Sequence, residues 1–158
     1  IIVYEGDFGP FRNNIHPIWD WGFHSISMIL KLFDNHQFTN INMIELKKNN
    51  KFGRGLVSKF IFSLSSNVEG KIITGNLFNK KIRKIKIILK NKDYLLANMN
   101  DHNIYFKKTL LFKGRKTPLN LLLETFHDRI INGYQKEDLN NIFISSETIK
   151  IIEKFYRC

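Results

Sequence analysis

The sequence predicts an α+β domain: an open, mostly antiparallel sheet of about six strands with helices packed on one face. Three observations carry that expectation. A segment near the N-terminus repeats its apolar residues at helical spacing. A long middle stretch alternates apolar and polar residues, broken only by turns too short for parallel crossovers. Two further helical segments close the chain. At 158 residues it suits a single domain spanning 1–158, because one core commonly serves about 100–200 residues. Its 43% hydrophobic content excludes a disordered chain. No apolar run approaches the roughly 18 residues of a membrane helix, so no membrane partner is expected. Cys158 is the only cysteine, so no disulfide can close within the chain.

Taken in order, Ile1-Ile2-Val3-Tyr4-Glu5 reads as a strand. It lacks the basic and long apolar regions of a signal peptide, and it opens in mid-pattern, as the latter part of a longer protein would. Gly9 and Pro10 mark a turn over residues 7–10. Residues 19–33 read as a helix, with Ile26, Ile29, Leu30 and Phe33 at helical spacing, Asp20 able to cap its start, and Asp34-Asn35-His36 ending it. Period-two strands are expected near 42–47, 57–65, 68–77, 82–90, 94–98 and 104–108, one face apolar and the other rich in lysine. Thr117 caps the next helix and Pro118 enters its first turn. Leu119, Leu122, Leu123, Phe126 and Ile130 form its stripe, and Asn132-Gly133 stops it. Ser145 or Ser146 caps the last helix, which turns Ile149, Ile152, Phe155 and Tyr156 inward.

The net charge is +11 and the pI about 9.8. Lys80 to Lys116 hold twelve Lys and Arg against two Asp and Glu, so most of the excess lies there. Such a stretch can attract nucleic acid. The chain is also rich in Lys, Asn, Ile and Phe throughout, as an AT-rich coding sequence would give, and no nucleic-acid module pattern accompanies the lysines. Nucleic acid is therefore not the expected partner.

Several chemistries have no seat. There is no glycine-rich dinucleotide fingerprint, no phosphate loop and no nucleophile elbow. His16, His24, His36, His102 and His127 lack metal-ligand spacing, so neither cofactor-binding nor metal-binding residues are assigned. One constellation stands out, running from His16 to His24. Asp20 and His24 lie four apart, on one face of a helix, where a carboxylate can orient an imidazole and support its cation. Gly22 leaves room for a close approach, and Trp19 and Trp21 can wall a pocket. The plainer readings stand beside these: Asp20 as a cap, His24 as a half-buried polar residue, the tryptophans as core.

Trp19-Asp20-Trp21-Gly22-Phe23-His24-Ser25-Ile26-Ser27-Met28 resembles the D-x-x-x-H segment of the Gfo/Idh/MocA oxidoreductases, the glucose-fructose oxidoreductase and inositol dehydrogenase group. Glu5-Gly6-Asp7-Phe8-Gly9-Pro10-Phe11-Arg12 resembles the glycine-containing strand before that motif. The strand-rich middle, Pro118-Leu119, Glu124-Thr125-Phe126, Asn132-Gly133 and the closing helix resemble the rest of that family's second half. The sequence departs at Phe23, where proline is common, at Ser25, where aspartate often follows the histidine, and over residues 94–98, which lack the usual Gly and Asp.

The resemblance implies that the chain is the C-terminal substrate and oligomerisation domain, without the N-terminal Rossmann domain that binds NAD or NADP. It implies His24 as the general acid/base and Asp20 as its catalytic companion, with Trp19, Trp21, Arg12 and His16 as substrate contacts. The family's Glu-Lys-Pro lysine would lie in the other half. Cofactor is then expected in the full-length parent and not on this chain alone, which would be inactive by itself. The implied substrate is a sugar, an inositol or a nucleotide-sugar. A homo-oligomer through the sheet face and a cytoplasmic location are expected as well. The alternative is a stand-alone, non-catalytic interaction domain that uses the sheet face. Arg12 as a surface charge and His16 as an extended loop residue before Pro17 are the plainer readings of those two.

Overall fold

The computed structural model describes residues 2–10, 15–33, 37–49, 55–65 and 67–156. Its strands are β1 (Ile2–Phe8), β2 (Phe38–Asn49), β3 (Gly55–Leu64), β4 (Glu69–Gly75), β5 (Ile82–Ile88), β6 (Tyr94–Asn98), β7 (Asn103–Phe106) and β8 (Thr109–Lys113). Its helices are α1 (Phe23–Leu32), preceded by a π-helical turn (Ile18–Gly22), α2 (Pro118–Asn132) and α3 (Lys136–Tyr156). The strands form one sheet in the order β2-β3-β4-β1-β5-β6-β7-β8. Every neighbouring pair is antiparallel except β1 with β4. The parallel pair is possible because the chain between β1 and β4 passes through α1 and two further strands, far more than the dozen or so residues a crossover needs.

The α+β class and the mostly antiparallel sheet are as the sequence predicts, but eight strands replace about six. The first strand lies in mid-sheet and runs to Phe8, so the expected turn begins only at Gly9. The strand that the sequence reading lacks, β8, follows a two-residue connection, Lys107-Lys108, in which Lys107 takes φ +55. Glycine or asparagine normally announces that conformation, and here a lysine adopts it.

Alternation along the strands decides which face is covered. Phe60, Phe62 and Leu64 of β3, Ile72 of β4 and Ile85 of β5 point to one side and are buried with Ile26, Ile29 and Leu30 of α1. Each such side chain contributes about 1.5–3 kcal/mol by leaving water. Lys59, Lys71 and Lys84 take the alternate positions on the opposite, outer face. Ile144 and Ile152 bring α3 into the same core, and the Phe155 ring meets Phe60 edge-on at 5.5 Å. Lys31 of α1 ties to α3 through Glu137 at 3.0 Å and Asn141 at 3.1 Å.

The last helix begins at Lys136, nine or more residues before the expected caps Ser145 and Ser146. Asp138 accepts a hydrogen bond from the Gln135 backbone N–H at 2.8 Å and another from Arg129 Nε at 2.7 Å. That is the back-reaching half of a capping box, with an acid three residues past the cap. Thr117 does cap α2, accepting from the Asn120 N–H at 3.2 Å, and Gly133 takes φ +73 at its end. Its stripe is present but packs on nothing among the described residues: Leu119, Leu122, Leu123, Phe126 and Ile130 are 57–68% exposed.

Candidate active site

The helix that carries the Asp20–His24 pair does not start as an ordinary α-helix. From Ile18 to Gly22 it is π-helical, closed by Phe23 N–H on the Ile18 carbonyl. Such turns recur at functional sites because they re-aim side chains. Asp20 lies inside this turn, its N–H bonded to the His16 carbonyl at 3.0 Å, and Pro17 holds the cap position. Asp20 is therefore not a cap.

Along α1, His24, Met28 and Leu32 fall at four-residue spacing and share one face. Met28 and Leu32 line an apolar cavity of about 340 Å³ with Ile85, Leu95, Ala97 and Ile104 of the inner sheet face. Ala97, Met99 and Ile104 belong also to a second cavity of about 600 Å³, whose other walls include Lys81, Arg83, Asn98, Asn100 and His102. The two make one trough over β5 to β8, apolar along α1 and basic at the far end. Its volume suits a small organic ligand, since such pockets run to roughly 300–1,000 Å³.

His24 stands at the N-terminal end of the helix face that borders this trough. Its pKa lies below the ordinary imidazole value of 6.5. Desolvation on its protein side is the first cause and the positive charge of Arg83 the second. Asp20 pulls the other way, and Lys81 adds to the lowering. The imidazole is thus neutral near pH 7 and able to accept a proton, while Asp20 favours the cation that results.

Trp21 is 1% exposed, and its ring is the platform of the basic end. Arg83 lies 5.6 Å and Lys81 5.9 Å from its ring centre. Beneath it, Gly9 comes so close that a Cβ there would stand 2.4 Å from Trp21 Cζ2. Gly22 has more space: a Cβ there would meet Ile18, Thr74 and Phe60 at 3.6–3.8 Å, ordinary contact distances. The close approach expected of Gly22 belongs to Gly9.

Asp20, Trp21 and His24 are thus brought together, and Lys81 and Arg83 join them. Trp19 and His16 gather elsewhere, around Tyr156 at the end of α3: the rings lie edge-on at 6.3 Å and 5.2 Å. His16 Nδ1 also accepts from the Ile18 N–H at 3.3 Å. Arg12 lies outside the described residues. Sequence reasoning passed over Lys81, Arg83 and Met28, and it weighed His102 as a metal ligand without assigning it a role. His102 takes φ +59 in a turn, is half-buried and lines the larger cavity. The only signal for the two cations was the basic stretch that begins at Lys80. Among the described residues no His, Cys, Asp and Glu cluster could hold a metal ion, and no helix is long and apolar enough to cross a membrane.

No family model and no curated protein sequence matches the chain. Solved structures do. UDP-N-acetylglucosamine 3-dehydrogenase from Acidithiobacillus ferrooxidans superposes with TM-score 0.76 at 10% identity, over 94% of this chain and 51% of that one. Aldose-aldose oxidoreductase from Caulobacter crescentus, complexed with glycerol, gives 0.71 at 12%, over 99% and 52%. Biliverdin reductase from Synechocystis, in complex with biliverdin and NADP+, gives 0.64 at 12%, over 97% and 54%. At these identities the likeness is one of fold: the chain is built like one half of the Gfo/Idh/MocA-type oxidoreductases. It spans about half the length of the proteins it matches.

Proposed function

We propose that this chain is the substrate-side domain of an NAD(P)-dependent oxidoreductase acting on a hydroxyl or carbonyl of a sugar, inositol or nucleotide-sugar. The observation that carries the reading is the Asp20–His24 pair at the start of the helix whose Met28 and Leu32 line a ligand-sized trough, in a fold shared with sugar oxidoreductases.

Among the described residues neither α2 nor α3 offers a dinucleotide a free helix N-terminus. A pyrophosphate is commonly held by free N–H groups at a helix N-terminus after a glycine turn. Here the α2 start is capped by Thr117, and Asp138 ties the Gln135 N–H at the start of α3. The nicotinamide, which supplies the hydride chemistry, would come from another domain, and the chain alone would not turn over substrate.

What this chain contributes is the proton. Neutral His24 takes the hydroxyl proton of an alcohol substrate, and its imidazolium returns one to a carbonyl in the reverse direction. Lys81 and Arg83 keep the resting imidazole neutral. Asp20 steadies the charged ring and positions it. Trp21 serves the site from below, as the seat of the two cations, while Trp19 and His16, packed against Tyr156, take no part in this step.

The test is NAD+- and NADP+-linked turnover of a panel of sugars by the full-length natural protein. Turnover that falls about 10²–10⁴-fold in His24→Gln is expected, the usual range for removing a general acid/base. No NAD(P)-linked activity, or full activity in His24→Gln, refutes the reading.

A second reading, self-association through the sheet, is favoured by the outer face. Ile44 and Ile61 are 47% and 41% exposed there. In sedimentation equilibrium, Ile44→Glu with Ile61→Glu would shift an oligomer to monomer. An unchanged mass would set that surface aside.

A further inference from the structure

We propose that the basic end of the trough is an oxyanion subsite, in which Lys81, Arg83 and His102 hold a phosphate or diphosphate group of the substrate while its ring lies toward His24. The orientation of the ligand rests on the oxidoreductase reading; the subsite itself does not.

Three features of the structure converge on an anion. The first is the charge of the lining. The residues that wall the larger cavity include a lysine, an arginine and a histidine but no aspartate or glutamate. Asp20 is not among the lining residues, and the charge of its carboxylate acts on the His24 imidazole.

The second is preorganisation of like charges. Lys81 and Arg83 sit 5.9 Å and 5.6 Å from the centre of one buried indole. Two cations held over one ring repel each other and also repel protonation of His24. An oxyanion between them relieves that repulsion. Arg83 carries five N–H donors, enough to keep its neighbours and still engage two phosphate oxygens.

The third is the rigidity of the rim. In the β6–β7 turn, Asn98 Nδ2 donates to Asp101 at 2.8 Å and the Asn103 N–H donates to the same carboxylate at 3.1 Å. Asn100 Nδ2 donates to the Lys81 carbonyl at 3.3 Å, which fastens the turn to the cation-bearing segment. The Gly114 N–H donates to the His102 carbonyl at 2.8 Å, and a Cβ at Gly114 would come within 2.7 Å of His102 Cβ. His102 is therefore held at the cavity by backbone that has no room to drift.

The class of ligand follows. A neutral sugar needs hydroxyl-sized hydrogen-bond partners, not three potential cations, and a lone carboxylate occupies two of them at most. A phosphate or diphosphate ester spreads its charge over several oxygens and matches all three.

The experiment is calorimetric and NMR titration of the chain with sodium pyrophosphate at about 150 mM salt, where diffuse attraction to a basic protein is largely screened. Saturable binding is expected, with amide shifts at Lys81 to Arg83 and Asn98 to Asn103. Lys81→Met, an exposed position that folding tolerates, should raise the Kd at least about tenfold, as loss of a charge-assisted contact does. Arg83→Lys, which keeps the charge and the Trp21 contact, should weaken binding less than Arg83→Met. Lys84→Met removes the same charge from the outer face of β5 and should change the Kd less than about twofold.

Equal weakening by Lys81→Met and Lys84→Met would show general charge attraction and overturn the subsite. So would equal affinity for acetate, or no saturable binding. Specific pyrophosphate binding beside a full-length protein without NAD(P)-linked turnover would keep the subsite and overturn the oxidoreductase reading. Turnover of neutral sugars without pyrophosphate binding would do the reverse.

Discussion

Two glycines that look alike in the sequence are predicted to respond with opposite sign when replaced by alanine. At Gly9 an added Cβ would lie 2.4 Å from Trp21 Cζ2 and 2.6 Å from Cη2, where carbon atoms ordinarily rest roughly 3.5–4.0 Å apart. The backbone cannot retreat. The Gly9 N–H donates to the Gly75 carbonyl at 3.0 Å, and the Phe78 N–H donates to the Gly9 carbonyl at 3.1 Å. The indole must therefore give by about 1 Å in a packed interior, and overpacking of this kind costs about 1–3 kcal/mol. For a domain of this size each kcal/mol shifts Tm by about 2–4 °C, so Gly9→Ala should lower Tm by roughly 2–12 °C. Gly22 has φ −66 and ψ −36 and neighbours no closer than 3.6 Å. Alanine there fits the helical backbone and should add about 0.4–1 kcal/mol by restricting the unfolded chain. Urea unfolding followed by circular dichroism, with near-ultraviolet spectra reporting the tryptophans, measures both. A neutral Gly9→Ala, or a Gly22→Ala that loses as much stability as Gly9→Ala, would refute the packing described under the π turn.

Two further outcomes follow from the same geometry. In an NMR titration His24 should have a pKa below 6.5; Arg83→Met should raise it by removing a cation, and Asp20→Asn should lower it further by removing the opposing charge. Because the folded value is the depressed one, His24 supports stability above the unfolded value near 6.5 and loses that support as pH falls through the folded pKa; His24→Gln should flatten this part of the stability–pH curve, and an unchanged curve would count against the shift. On α2, Leu122→Ser and Phe126→Ser should change the unfolding free energy of the monomer by less than about 0.5 kcal/mol, as surface substitutions do, whereas a loss of several kcal/mol would mean that the helix packs where it is now seen exposed.

Much of the architecture could be read from residue order. The period-two alternation in Lys59 to Leu64 and Lys84 to Ile88 is itself the inside–outside pattern of a sheet covered on one face, so class and facing were both legible. Ile26, Ile29 and Leu30 announced the buried stripe of α1, and Thr117 and Gly133 the ends of α2, because caps and stripes are local in sequence. The four-residue spacing of Asp20 and His24 was legible for the same reason.

Tertiary structure alone decided the rest. Nothing local tells β1 to insert between β4 and β5, since that choice is made by which strands bury it. The stripe on α2 has the periodicity of a packed helix, yet periodicity records a preference for burial and not the presence of a neighbour. The site shows the same division. Lys81, Arg83 and His102 are separated from His24 by well over fifty residues, and their shared cavity exists because β5 to β8 fold beside α1 and Trp21 seats two of the cations. The sequence by itself set Asp20 and His24 four residues apart at the start of one helix. Only the fold could assemble the charged trough beside it, because long-range proximity is set by packing and leaves no fixed spacing in the chain.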